Sequence, residues 1–125
     1  MDTSETYIKM CEKAVEIQRL WKLKAGDYFT RSLHDLVYIL EARELQSLGR
    51  ISHSTWIGEK IFLPRQDQLQ KMINTDWFDS FRGLLWFYQV SSMKNIHSME
   101  QLWLAFVMME KYKKVWNDED WRTPK

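Results

Sequence analysis

The chain has 125 residues, the usual size of one domain, and no break in composition divides it, so a single α+β domain spanning 1–125 is expected. With 45% hydrophobic and 28% charged residues it has enough apolar material for a packed core, which excludes wholesale disorder. Eighteen Lys and Arg against 17 Asp and Glu leave a formal charge of +1 and no whole-chain argument for a phosphate-rich partner, while a lone cysteine, Cys11, excludes an internal disulfide and a cysteine-rich zinc site.

The first residues, Met1-Asp2-Thr3-Ser4-Glu5, lack the basic start and apolar stretch of a secretory leader, so a cytoplasmic protein is expected. Tyr7, Cys11, Ala14, Gln18 and Trp21 then fall on a stripe of helical period and predict one helix from about Ser4 to Leu23. Thr3 or Ser4 is placed to cap it, and Ala25-Gly26 to stop it. Cys11 on that stripe reads as a small buried hydrophobe.

From Asp27 to Leu63 the pattern turns to β. Tyr28–Arg31, Leu36–Leu40 and Lys60–Leu63 predict a small antiparallel three-stranded sheet. Gln46 to Thr55, rich in Ser, Gly and His, reads as a loop, although Glu41 to Leu48 also suits a short helix. Trp56-Ile57 extends the third strand backwards, or Gly58-Glu59 turns a hairpin of its own; both readings are open.

Pro64 opens a helix over Arg65–Ile73 with Leu69, Met72 and Ile73 inward. Thr75 or Asp76 caps the next, where Trp77, Phe78, Phe81, Leu84, Leu85 and Tyr88 keep the spacing of a buried face. Ser98 and Gln101 form a capping box for a last helix, Met99 to about Val115. Leu102, Trp103, Phe106, Val107 and Met109 span more than one side of it and call for cover on more than one side. Trp121, after Asn117-Asp118-Glu119-Asp120, either folds back or is left exposed. The sum is an α+β fold: an N-terminal helix, the sheet, then about three helices in one core.

Catalytic chemistry finds little support. His34, His53 and His97 have no ligand spacing between them, and His34 beside Asp35 reads as a polar turn. No serine sits in a nucleophile elbow, and Gly26, Gly49, Gly58 and Gly83 are too scattered to cradle a phosphate. The chain is therefore read as non-enzymatic, with no metal and no cofactor. Lys22, Lys24, Arg31, Arg43, Arg50, Lys60 and Arg65, interleaved with Trp21, Tyr28, Tyr38 and Trp56, offer an alternative: stacking rings and cations suited to single-stranded nucleic acid.

Three blocks carry a resemblance: Glu12–Gln18 with Trp21 and Gly26-Asp27; Phe62–Gln70; and Met99–Met108 followed by Val115–Trp121. Together they resemble small uncharacterised proteins encoded by phages and prophages of Gram-positive bacteria. The resemblance implies a mobile-element origin and a cytoplasmic setting, and brings no activity or catalytic residue with it.

Seven Trp, six Phe and five Tyr are a heavy aromatic load, and Trp is favoured where proteins bind one another. The expectation is a phage accessory protein that binds a protein partner, itself included, with no membrane role. Its candidate contact residues are Trp56, Arg65, Gln66, Asp67, Trp116 and Trp121. For Arg65–Asp67 the competing reading is a solvated first helical turn, with Asp67 favouring the helix dipole.

Overall fold

A computed structural model of the chain describes residues 1–33, 35–43, 60–73, 76–91 and 95–124. The fold is α+β, as expected, and divides into two compact units: Thr3–Pro64, and Met1–Asp2 together with Arg65–Lys125.

In the first unit, α1 spans Glu5–Lys13, and Ser4 is its cap, the hydroxyl accepting from the Tyr7 N–H at 3.2 Å. The single helix expected from Ser4 to Leu23 is instead two, because Ala14 leaves the helical region (φ −83°, ψ 69°) and α2 occupies only Val15–Arg19. Gln18 bridges the break. Its Nε2 donates to the Cys11 carbonyl at 2.9 Å, the group that an uninterrupted helix would give to the N–H four residues on. The inward stripe holds across the break, for Tyr7, Cys11, Ala14 and Trp21 are all buried.

The sheet follows the expected pattern. β1 (Tyr28–Thr30) lies at the centre, with β2 (Val37–Ile39) and β3 (Ile61–Leu63) antiparallel on either side. Phe29 stands opposite both Tyr38 and Phe62. Gly26 enters β1 at φ 93°, where a side chain is disfavoured, and its N–H reaches the Leu40 carbonyl at 2.7 Å. Thr30 is fully buried, and its hydroxyl is shared between the Ser32 and Leu36 carbonyls of the connection to β2.

Helix and sheet are joined by large side chains with polar ends. Trp21 stacks on Phe62, centroids 5.0 Å apart and planes 4° from parallel, while its Nε1 donates to the buried Asp27 carboxylate at 2.9 Å. Tyr7 buries its ring and donates its hydroxyl proton to the Pro64 carbonyl at 2.6 Å. Each ring thereby removes apolar area from water without stranding its polar atom.

The second unit holds α3 (Gln66–Met72), α4 (Trp77–Val90) and α5 (Met99–Tyr112), then a short hairpin of β4 (Val115–Trp116) and β5 (Trp121–Arg122). Asp76 caps α4, accepting from the Asp79 N–H at 2.9 Å. All eight residues from Gln101 to Met108 are buried, two full turns of α5, so this helix is covered on every side over that stretch. Phe106 packs edge-on to Trp103 at 5.9 Å and against Phe87 of α4 at 5.7 Å.

Two expectations are corrected here. The last helix stops at Tyr112, not near Val115: Lys113 turns left-handed (φ 57°), its N–H holds the Met109 carbonyl, and Val115 enters a strand that periodicity did not reveal. The buried face of α4 is also rotated from the expected one. Ser80, Leu84 and Phe87 point inward, while Phe81, Leu85 and Tyr88 are exposed.

Candidate interaction surface

The residues singled out by sequence do not gather into one site. Trp56 lies outside the described residues, as do His34 and His53. Arg65, Gln66 and Asp67 form the head of α3. There Gln68 Oε1 accepts the Arg65 N–H at 2.8 Å, the return half of a capping box whose other half an arginine side chain, having only donors, cannot make. Arg65 Nε meets Asp67 Oδ1 at 3.0 Å. That hydrogen bond from Arg65 holds the Asp67 carboxyl below its ordinary value; partial burial opposes it, and the nearby positive charges of Arg65 and Lys71 add to the lowering. The block thus has the local partners of a helix start, matching the solvated-turn reading.

Trp116 and Trp121 are 7% and 5% exposed. They face one another across the β4–β5 pair, centroids 5.1 Å apart, so Trp121 folds back. The turn that brings them together is built by Asn117, whose Oδ1 accepts from the N–H groups of Glu119 and Asp120 at 3.0 and 2.8 Å. Asp118 sits in the left-handed region at φ 78°. These two rings hold the hairpin closed and present little surface of their own.

Of the rings and cations of the nucleic-acid alternative, Lys22 and Lys24 are exposed and Arg50 and Trp56 lie outside the described residues, while others have partners. Trp21 is buried against Phe62. Arg31 lies 5.3 Å from the centre of the Tyr38 ring, and Arg43 pairs with Glu41 at 2.9 Å. Among the described residues no group of three or more His, Cys, Asp or Glu is placed to hold a metal, and no helix is long and apolar enough to cross a membrane.

More large apolar side chains are exposed on α4, where sequence reading expected a buried face, than on any other described element. Phe81, Leu85 and Tyr88 recur at i, i+4 and i+7 along one flank, and Trp86 and Val90 at i and i+4 along the other. Arg82 and Gln89 run between them. All five apolar side chains are about half exposed or more, Trp86 most of all at 63%. The inward stripe of Ser80, Leu84 and Phe87 seats α4 in its own unit, and Gly83 makes that seat close. A Cβ on Gly83 would stand 3.0 Å from the Phe106 ring.

Sequence reasoning missed Trp86 and Val90 altogether and assigned the other three to the core. The available signal was that α4 is apolar all round: a helix of 14 residues with Asp79 and Arg82 as its only charged residues has more apolar positions than one buried stripe can use. Comparison with protein families, with curated proteins and with solved structures finds no match to this chain.

Proposed function

We propose that this is a non-enzymatic accessory protein that acts by binding a protein partner through the outward flanks of α4. The observation that carries the reading is the exposure of Phe81, Leu85, Trp86, Tyr88 and Val90 on one helix. Large apolar side chains exposed together on one element mark interaction surfaces where scattered single ones do not, and Trp and Tyr are the residues in which binding energy concentrates. A near-zero net charge suits a partner recognised by apolar contact rather than by charge. The phage resemblance of the three sequence blocks supports a mobile-element setting, and the absence of a catalytic pattern in the sequence supports a binding role.

The test is a photo-crosslinking amino acid placed at Trp86, with the exposed Lys71 of α3 as the control position. A protein adduct from position 86 and none from position 71 is expected in the host cell. No adduct from position 86, or equal adducts from both, overturns the reading. An adduct destroyed by nuclease would move the assignment to the nucleic-acid alternative.

A further inference from the structure

We draw no further inference here: the strongest candidate, the two apolar flanks of α4 formed by Phe81, Leu85 and Tyr88 and by Trp86 and Val90, belongs to the surface already described, and nothing in the structure shows what covers it.

Discussion

Gln18 binds both backbone groups of Phe62, accepting its N–H at 2.8 Å through Oε1 and donating to its carbonyl at 2.9 Å through Nε2. One side-chain amide thereby does for the outer edge of β3 what a neighbouring strand would do. The same Nε2 reaches the Cys11 carbonyl, so Gln18 ties the end of α1 to the sheet.

Replacing Gln18 by Ala takes a partner from the Phe62 N–H and from two carbonyls, of which that of Cys11 still accepts the Ala14 N–H. At a half-buried position the expected cost is about 2 kcal/mol, within the range for unmade hydrogen bonds. Gln18→Glu should be no milder, since a carboxylate has no N–H to give to the two carbonyls. Urea unfolding gives the stability, and amide exchange at Phe62 gives the location. A loss under about 0.5 kcal/mol with unchanged Phe62 exchange would contradict the assignment.

Gly83 and Phe106 make a prediction whose sign reverses with background. In an exposed helix Gly→Ala gains about 1 kcal/mol from propensity alone. Here the added methyl would press on the Phe106 ring, which Phe87 and Trp103 flank. With little room for the ring to move, Gly83→Ala should destabilise by about 1–2 kcal/mol through overpacking. Phe106→Ala alone should cost roughly 3–5 kcal/mol, since the ring is 3% exposed at the centre of the α4–α5 contact. With the ring gone, Gly83→Ala should become stabilising. A double-mutant cycle measured by denaturant melts reads this directly, and additivity between the two changes would contradict the contact.

The strands Tyr28–Thr30, Val37–Ile39 and Ile61–Leu63 and the helix starts at Ser4, Asp76 and Ser98 were legible because β-branched and aromatic composition, caps and breakers act within a few residues. Gln18 was not: it sat on the apolar stripe of helix 1 as one polar residue, and its partner lies 44 positions away. The α4 face failed for another reason. When both sides of a helix are apolar, the hydrophobic pattern no longer marks which one faces the core, and packing details such as Gly83 against Phe106 decide it. The β4–β5 hairpin is too short for periodicity to register, and only the Asn117 turn and the matched Trp116 and Trp121 hint at it.

Asp2 is a second long-range partner that local pattern cannot reveal. Its Oδ2 accepts from the Ser98 hydroxyl at 2.5 Å and from Gln101 Nε2 at 2.8 Å, while Ser98 Oγ itself accepts the Gln101 N–H at 3.1 Å. A carboxylate thus backs up the cap of α5, at the helix end where negative charge is favoured. Gln101 is almost fully buried, so losing Asp2 takes a partner from its side-chain N–H in the core. Asp2→Ala should destabilise the second unit by about 1–2 kcal/mol and Asp2→Asn by less, because both bonds end on one oxygen and an amide oxygen in its place can still accept them, losing only the charge. Equal stability of wild type and Asp2→Ala would remove Asp2 from the cap.

Asp67 gives the pH dependence. Its carboxyl is lowered from an ordinary value of 3.8, first by the hydrogen bond from Arg65. Folding therefore favours the carboxylate. The stability it adds is present above the unfolded value and is lost as pH falls through that value toward the lower folded one. Both partners are partly exposed, 33% for the Arg65 side chain and 54% for Asp67, so solvent screening keeps the contribution under about 1 kcal/mol. Two measurements separate the pair from general acid unfolding. The stability difference between wild type and Asp67→Asn should shrink as pH drops below about 4, the range in which an unperturbed Asp protonates. In Arg65→Gln the Asp67 carboxyl, followed by NMR, should titrate higher than in wild type, because the Arg65 charge and its hydrogen bond are gone. A wild-type Asp67 that titrates at or above its ordinary value, or one unmoved by Arg65→Gln, would show that the pair does not hold in solution.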